Sequence, residues 1–417
     1  MKNFVLPIIG LLSLLVLFSC DTNSAENQED PYTHRMTFSP GQEDDIRKAL
    51  ITIEDNSAIT LKAGTYSFEK LSIQGKLKNI LFEGEGAETT IIDFSNQSGG
   101  GEGMRVDDVD SLIIRNIKLV ESKGDLLKIA NSTHVEILNV QTVWDGEPEI
   151  TNGGYGIYPV LCNDVLIDGC YTRGASDAGV YVGQTIGAII RNSKAEFCVA
   201  GFEIENTQNA EAYNNEATNN TGGFLVFDHP GLKYDGGNIK VYDNNIHNNN
   251  YRNFAPTANN ATGVGNVPPG TGVMVLRTSD VEVYNNTIKD NNTMAVGILS
   301  YITAEPQILE NNPDFNPIPS NVSLHGNEIS KQADFPEAVK DHHLAQSLVQ
   351  LYQGLEAAGV SGGMPEILYD GIEMAEGSNP NKICIQDNGE ARFLNMDVAN
   401  SFAAPNFNVE PYLCLPN

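Results

Sequence analysis

The sequence predicts an all-β solenoid, a single-stranded parallel β-helix, and two repeated patterns carry this prediction. In the first pattern, Gly156, Gly179, Gly201 and Gly223 recur at intervals of 23, 22 and 22 residues. Each glycine is followed by apolar, variable and apolar residues in turn, and alternation with period two is typical of a β-strand. Recurrence at a fixed interval indicates a unit stacked on copies of itself. A short unit with strands and tight turns but no helical period fits one coil of a parallel β-helix.

The second pattern is a triplet in which an apolar residue and a variable residue precede a turn residue. Its third position is always Asn, Asp or Gly: Asn116, Asn139, Gly169, Asn192, Asn214, Asp243, Asn285, Gly326 and Asp387. These residue types tolerate left-handed backbone and form local turns. We therefore expect a sharp corner at this point of every coil, with the longer intervals between triplets forming loops at the corner.

The N-terminal part supplies a cap for the solenoid. Residues 41–53, GQEDDIRKALITI, have the apolar period of a short amphipathic helix, with Ile46, Ala49, Leu50 and Ile53 on one face. An end coil without a cap would expose a strand edge. We assign this helix as the cap, the stretch from Ile59 as the first coils, and residues 41–330 as the β-helix.

The C-terminal part, residues 331–417, interrupts the period. The segment PEAVKDHHLAQSLVQLYQGLEAAG predicts a helical insertion, in which His342 and His343 are interpreted as surface histidines. The strings MPEILYDGIEMAEG and NKICIQDNG then resume the coil pattern before the C-terminal closure. The insertion is expected to lie on the stack or to help close its end.

Composition limits the classes of partner. The formal net charge of −29 over 417 residues argues against nucleic acid as a partner and against affinity for anionic lipid.

The cysteines lack CxxC spacing, so no metal site is predicted. Cys162, Cys170 and Cys198 are expected to be buried, and a disulfide between Cys384 and Cys414 is left open. Asp-rich turns could bind Ca²⁺, but no calcium motif is present and no cofactor is predicted. The oligomeric state is left open.

The first twenty residues have the features of a secretory signal. An apolar run from Phe4 to Phe18 ends in Leu-Phe-Ser-Cys, which resembles the bacterial lipobox and implies lipidation of Cys20. The acidic residues that follow resemble the surface-export signal of Bacteroidetes lipoproteins. We therefore expect a signal peptide at residues 1–19, an acidic tether at residues 20–40, and an exported lipoprotein of the outer membrane or cell surface, held to the membrane only through the lipid.

Six strings of the central region resemble a bacterial family of exported parallel β-helix repeat proteins: NGGYGIYPV, SDAGVYVGQ, FEIENT, NNTGGFLVFDHPG, NNYRNFAP and VPPGTGV. The resemblance covers roughly residues 40–400 and implies a right-handed β-helix, the hand that parallel crossovers also favour. No activity is established for that family. The fold is shared with pectate lyases, rhamnogalacturonases, alginate lyases and mannuronan epimerases, but fold alone does not assign a function.

The strand after each glycine carries the candidate chemistry, because its alternate side chains point outward and stack from coil to coil. The first outward position is predicted to hold Arg105, Lys128, Tyr158, Tyr181, Glu203, Leu225, Met274, Leu299 and Glu373. The second is predicted to hold Asp107, Ala130, Val160, Gly183, Glu205, Phe227, Leu276 and Tyr301. Neighbouring coils lie about 4.8 Å apart, so these residues would form a continuous strip.

The residue types on this strip fit an acidic polysaccharide. Arg105 and Lys128 would neutralise carboxylates, Tyr158 and Tyr181 would stack on sugar rings, and Glu203 and Glu205 would act as catalytic acids. A solvated outer face that merely tolerates tyrosines is the alternative.

Six further residues are predicted to lie near the strip. Asp228 and His229 end one strand and could form a proton-transfer pair, although Pro230 makes a simple corner turn the alternative. Asp177 could line the same groove or fix a corner, and Arg277 could bind an anion or form an exposed ion pair. Tyr155 and Trp144 could wall the groove or pack an insertion onto the stack.

Two functional classes follow. The first is a protein that binds an acidic polysaccharide and cleaves it, by hydrolysis or elimination, or epimerises it; the second is a non-catalytic scaffold or adhesin. Hydrolysis requires paired carboxyl groups, whereas elimination requires a cation at the uronate and a base.

Overall fold

The computed structural model describes residues 30–257, 263–375, 377 and 379–414. The chain from Tyr32 onward forms one compact unit built from coils of parallel strands. Each complete coil contributes one strand to each of three stacks, which we call the front, side and back stacks. The predicted signal peptide and Cys20 lie outside the described residues.

The side stack contains the first strand of the solenoid. Its strands are β1 (His34–Phe38), β2 (Ser57–Leu61), the second halves of β4 (Leu71–Gly84) and β6 (Met104–Arg115), β9 (Thr133–Leu138), β12 (Asn163–Asp168), β15 (Ile186–Arg191), β18 (Gln208–Tyr213), β21 (Gly237–Tyr242), β24 (Val281–Tyr284), β27 (Val322–His325) and β30 (Ile383–Gln386).

The back stack is made of short strands. They are β3 (Gly64–Ser67), β5 (Thr90–Asp93), β7 (Lys118–Val120), β10 (Gln141–Val143), β13 (Tyr171–Arg173), β16 (Lys194–Glu196), β19 (Glu216–Thr218), β22 (Asn245–His247), β25 (Thr287–Lys289) and β28 (Glu328–Ser330).

The front stack carries the candidate chemistry. Besides the first halves of β4 and β6 it contains β8 (Leu127–Ala130), β11 (Ile157–Val160), β14 (Ala178–Gly183), β17 (Ala200–Glu205), β20 (Gly222–Phe227), β23 (Thr271–Leu276), β26 (Met294–Leu299), β29 (Ile367–Tyr369) and β31 (Phe393–Asn395).

Three α-helices accompany the strands: α1 (Glu43–Ile51), α2 (Tyr301–Ala304) and α3 (His343–Ala357). Helix α1 buries Ile46 and Leu50 against the first coils, as expected of the cap. Strand β1 lies inside the segment predicted as a tether and pairs with β2, so ordered structure begins before the predicted boundary. None of the helices in the described part of the chain is long and apolar enough to cross a membrane.

The glycine register is confirmed by the strand pairing. Ile157 pairs with Val180, Val180 with Phe202, and Phe202 with Phe224, so the four glycines preceding these residues stack. All nine turn residues of the second pattern have positive φ, between 51° and 66°. Both repeated patterns therefore report backbone geometry that the coils require.

Two ladders of buried asparagines run along the interior corners, and sequence reasoning did not identify them. The longer one passes through Asn215, Asn244, Asn286, Asn327 and Asn388. Each side-chain amide donates to the amide oxygen of the next rung at 2.8 to 3.0 Å. The amide oxygens also accept from backbone N–H groups, so the ladder satisfies corner groups that the strands leave unpaired.

Replacement of the central rung should destabilise the protein. Asn286→Leu leaves the backbone N–H of Asn244 without an acceptor and removes one of the two acceptors of its side-chain amide, since both groups donate to Asn286. We expect the free energy of unfolding to fall by about 3 kcal/mol, because an unpaired buried polar group costs roughly 1–3 kcal/mol. Thermal unfolding followed by circular dichroism measures this, with the exposed Asn96→Ala as the matched control. Equal midpoints for the two variants would contradict it.

The C-terminal segment differs from the prediction at one histidine. His343 is exposed, but His342 is only 4% exposed and begins α3 by accepting a hydrogen bond from Ala345 N. Its Nε2 donates to the carbonyl oxygen of Gly265 at 3.0 Å. Burial lowers the pKa of His342 to about 4. The pattern of α3 could not show this, because the partner of His342 lies 77 residues away in sequence.

The cysteines of the central coils are free, whereas those near the C-terminus form a disulfide. Cys162, Cys170 and Cys198 are free and buried, as predicted. Cys384 and Cys414 form a disulfide that ties the C-terminus to the last coil of the side stack.

Candidate functional site

The outer face of the front stack forms a strip whose register the structure defines. The first outward position holds Arg105, Lys128, Tyr158, Tyr181, Glu203, Leu225, Met274, Gly297 and Leu368 in successive coils. We call the five residues from Arg105 to Glu203 the open strip. The predicted assignments of Leu299 and Glu373 to this position are wrong, as is the assignment of Tyr301 to the second position. Alternation fixes which face a side chain occupies but not the pairing register: the error is a shift by two residues for Leu299 and Tyr301, whereas Glu373 lies five residues beyond Leu368 and after the end of β29.

The cationic end of the open strip is already paired with acids. Arg105 lies 3.1 Å from Glu102 Oε1 and 2.7 Å from Asp107 Oδ2. Lys128 Nζ lies 3.5 Å from Glu102 and 4.6 Å from the centroid of the Tyr158 ring. Both side chains are partly exposed, so an incoming carboxylate can compete with Glu102 for them.

Three tyrosines form the middle of the strip. The rings of Tyr158 and Tyr181 meet edge to face with their centroids 4.8 Å apart. Tyr155, from the loop before β11, places its ring 4.5 Å from Tyr158 and 4.8 Å from Tyr181. Tyr181 lies along the strand over Gly183, where a Cβ would clash with its ring, and donates a hydrogen bond to Glu205 Oε2. The glycine therefore permits the contact between a tyrosine and a carboxylate one coil away.

Asp177 and Glu203 form a carboxyl pair with a buried oxygen on each group, although Asp177 as a whole is partly exposed. Asp177 precedes β14 at the corner, and Glu203 lies on β17 in the next coil with only 3% of its surface exposed. Each carboxyl group influences the pKa of the other, and the Tyr155 hydroxyl also influences the pKa of Asp177. Asp177 Oδ1 and Glu203 Oε2 are each buried without a donor from the rest of the protein. A proton shared between the two groups satisfies both oxygens.

The electrostatics of the pair favour that proton. Burial raises the pKa of Asp177 to about 7, with the Tyr155 and Glu203 hydrogen bonds opposing it. Burial, and then the charges of Asp177 and Glu205, raise the pKa of Glu203 well above its ordinary value. Because the pKa of Glu203 is raised further than that of Asp177, we assign the proton of the pair to Glu203 at neutral pH.

Further ionisable groups surround the pair. Burial raises the pKa of Asp125 to about 6, against the opposing charge of Lys128. Burial also raises the pKa of Glu205, whereas the Tyr181 hydroxyl and the charge of His229 lower it. His229 donates from Nδ1 to the carbonyl oxygen of Pro230 at 2.9 Å, which leaves Nε2 as its basic nitrogen. The neighbourhood is thus rich in groups that can exchange protons near neutral pH.

Asp228 and Arg277 lie together, near enough to Glu205 for the charge of Asp228 to raise the pKa of that carboxyl group. They form a buried ion pair, in which Asp228 also accepts from Gly236 N at 2.8 Å and Thr278 Oγ1 at 3.2 Å. Arg277 in addition binds Asp235 at 3.0 Å and the carbonyl oxygen of Asn316 at 3.0 Å. Every atom of the pair that could act on a substrate is occupied. The pair joins the loop after β20 to the corner after β23, and Arg277 extends these contacts to Asn316 in the loop after β26. Both side chains thus make structural contacts at the positions where the sequence predicted catalytic and anion-binding roles.

Two other residues complete the comparison with the sequence. Trp144, offered as a groove wall or a packing residue, is buried in the interior and donates from Nε1 to Ser122 O at 2.7 Å. Asp125 was missed, because its place depends on the insertion that carries Gly154 between Asp125 and Asp177. One feature of the sequence could have identified Asp125: it is an acidic residue two positions before Leu127, an inward apolar residue of the front stack.

No group of three or more histidine, cysteine or acidic side chains is arranged to hold a metal ion in the described ranges, with residues 1–29, 258–262, 376, 378 and 415–417 outside this statement.

Comparison with solved structures shows the fold. The A-module of the Azotobacter vinelandii mannuronan C-5 epimerase AlgE4 superposes with a TM-score of 0.52 at 15% identity, over 86% of this chain and 92% of that one. Pectate lyase Pel9A gives 0.43 at 14% identity over 81% and 89% of the two chains, and the periplasmic alginate epimerase AlgG gives 0.44 at 12% over 72% and 79%. No curated protein sequence matches the chain.

The family description "Right handed beta helix region" matches residues 78–234 and 149–333, which together span more than half of the chain. The structure agrees with this match, since stacked parallel strands occupy the whole of that region. The chain therefore belongs to the right-handed β-helix family.

Proposed function

We propose that this protein binds a polysaccharide along the open strip and cleaves it by hydrolysis, with Glu203 as the general acid. The observation that carries the proposal is the Asp177–Glu203 carboxyl pair beside three tyrosine rings. A carboxylic acid kept protonated near neutral pH can protonate a glycosidic oxygen, and such shifted groups cluster at functional sites.

Hydrolysis fits the site better than elimination or epimerisation. Both of the latter need a cation at the carboxylate of the reacting sugar. In the described part of the front stack, Arg277 is held in its ion pair, and Arg105 and Lys128 lie three or more coils from Glu203. Glu203 and Glu205 are two residues apart on one strand face, roughly 6–7 Å by the strand rise. That spacing leaves room for a water molecule, as in inverting glycosidases.

An acidic polysaccharide is the proposed substrate class. Its carboxylates would bind Arg105 and Lys128, which are the partly exposed cations of the open strip. The protonated pair also lowers the negative charge that an acidic chain meets farther along. The AlgE4 A-module reported above belongs to an enzyme that acts on mannuronan, which agrees with this class without assigning it.

Export as a lipoprotein anchored through Cys20 belongs to the same proposal, because a polysaccharide outside the cell must be reached by an exported protein. The lipobox-like ending Leu-Phe-Ser-Cys supports it. Mass spectrometry of the protein extracted from membranes would show a lipidated N-terminal cysteine at position 20.

The test is a panel of polysaccharides incubated with the purified protein. Polygalacturonate, polymannuronate and polyguluronate represent the acidic class, and a neutral xylan and a neutral glucan are the comparison. We expect new reducing ends to form from an acidic polymer. We expect no unsaturated product, which would be detected by its ultraviolet absorption. Absorbing products would show elimination and contradict hydrolysis.

A non-catalytic scaffold or adhesin is the second candidate, and one observation favours it: Glu203 is only 3% exposed. Under that function the panel would show binding to one or more polymers by affinity electrophoresis, with no new reducing ends. Binding without turnover would therefore replace the hydrolytic proposal.

A further inference from the structure

The outer face of the front stack has two unlike halves. At the first outward position, the side chains of Arg105 and Lys128 are 31% and 21% exposed and Tyr158 is partly exposed, whereas Tyr181 and Glu203 are each only 3% exposed. At the second outward position, Glu205 is partly exposed. From the next coil onward the first outward position is covered: Leu225 is 1% and Leu368 0% exposed. The change occurs within one coil of the carboxyl pair.

Segments from opposite sides of the front stack produce this cover. Helix α2 follows β26 on one side, and α3 together with the residues before β23 lies on the other. Tyr301 of α2 and Leu348 and Leu355 of α3 pack in one apolar cluster with Leu225 and Met274 of the strip. The covered half is therefore filled by the protein's own side chains.

Polar contacts close the cover across the strip. Glu305, at the end of α2, accepts from Gly263 N at 3.1 Å and from Asn266 Nδ2 at 3.4 Å. His342 donates to Gly265 O at 3.0 Å and so attaches α3 to the same segment. Residues that precede β23 thus meet residues that follow β26 above the strands between them.

Tyr301 forms the wall where the open strip ends. It is 2% exposed, and its hydroxyl lies in the field of Glu205, Glu305 and Asp228. The accessible part of the open strip spans two coil steps from Arg105 to Tyr158, which at about 4.8 Å per coil is roughly 10 Å, and the buried Tyr181 and Glu203 follow it. A bound polymer can run along this length but cannot continue past the carboxyl pair.

We propose that the site accepts the end of a polysaccharide chain and releases short products of one size from that end. This inference rests on the proposed function and specifies how that site is used. Arg105 and Lys128 would hold sugar units remote from the cut, and Tyr301 would set the number of units beyond it. A strip open at both ends would instead admit the middle of a chain.

The product profile tests the proposal. An acidic polymer that the protein cleaves is sampled at 1–5% conversion and separated by size, together with a series of oligosaccharides fluorescently labelled at the reducing end. We expect one short product from the earliest sample, with solution viscosity falling slowly. A ladder of mixed sizes at low conversion, lost in Glu203→Gln, would overturn the chain-end proposal and leave hydrolysis standing. Absence of cleavage across the whole panel would overturn the proposed function itself.

A variant that weakens the cover provides a second test, in which the sizes of the products are measured again. Glu305→Ala removes the acceptor that joins the two sides, and we expect longer products to appear alongside the single short one. Exposed Glu337→Ala, before α3, is the matched control and should keep the wild-type profile. If the Glu305 variant unfolds, the wild-type profile alone decides between end-directed and internal cleavage.

Discussion

Glu203→Gln is expected to lower polysaccharide turnover on the order of 10³-fold, the usual contribution of a general acid, while substrate affinity changes only a few-fold. Glutamine keeps the size of the side chain and can still donate a hydrogen bond to Asp177, but it cannot release a proton to the leaving sugar. The initial rate of reducing-end formation and affinity electrophoresis on the same polymer measure the two effects. Loss of affinity equal to the loss of rate would show a structural role.

The matched control lies on the adjoining strand of the same coil. Glu211 points outward from β18 and pairs with Lys240 and Tyr242, so Glu211→Gln removes a carboxylate without touching the pair. It should keep wild-type turnover. Turnover in Glu203→Gln that matches this control would contradict the assigned acid.

The same variant should change how stability depends on pH. Burial raises the folded-state pKa of Asp177 and Glu203, so the folded protein holds a proton that the unfolded chain releases above pH 4. Wild-type stability therefore falls as pH rises from about 4 through about 7. Glu203→Gln removes one of the two acids. We expect the free energy of unfolding of this variant to rise relative to wild type over this range, by about 1–2 kcal/mol at pH 8. A variant less stable than wild type at pH 8 would contradict a shared proton.

Gly223→Ala is expected to reduce the free energy of unfolding by about 3–5 kcal/mol, among the largest effects of a single methyl group. The added Cβ would lie 2.6 Å from Gly272 O and 2.6 Å from Ile246 Cγ2. Neither neighbour can yield, because one belongs to the backbone of the next coil and the other to the core. Urea unfolding monitored by circular dichroism measures the loss.

Gly354→Ala is the control for that substitution. Gly354 lies within α3, and a Cβ there meets nothing within 4 Å. Alanine should stabilise the helix by about 0.5–1 kcal/mol, since glycine has the larger entropy to lose. Similar losses in both variants would show that the glycine corner has no special packing.

The solenoid was predictable because its determinants are local and repeated. Asn139 and Asn192 must adopt positive φ at a corner, and the glycines must leave room for the next coil. The same residue types are therefore required at equivalent positions of each coil. The face of each strand residue follows from alternation. The pairing register of the last coils does not, because a two-residue shift preserves the face, and Gly297 was therefore mistaken for Leu299.

The candidate site was predictable only in part. Tyr181, Glu203 and Glu205 lie together because they occupy adjacent coils of one repeated strand. Asp228 was assigned to catalysis from proximity in sequence, but its partner Arg277 is 49 residues away and occupies it fully. Neither that ion pair nor the position of Asp125 beside Gly154 follows from a periodic pattern.

By itself, the sequence determined the β-helix, its corners, its capping helix and the identity of the side chains along one outward strip, since each follows from short-range backbone geometry. Only the tertiary structure decided which of those side chains are open, which are paired, and where the strip ends. These properties depend on insertions at 228–236, 248–257 and 300–366, whose positions on the stack are set by long-range packing and by contacts such as Glu305 with Gly263.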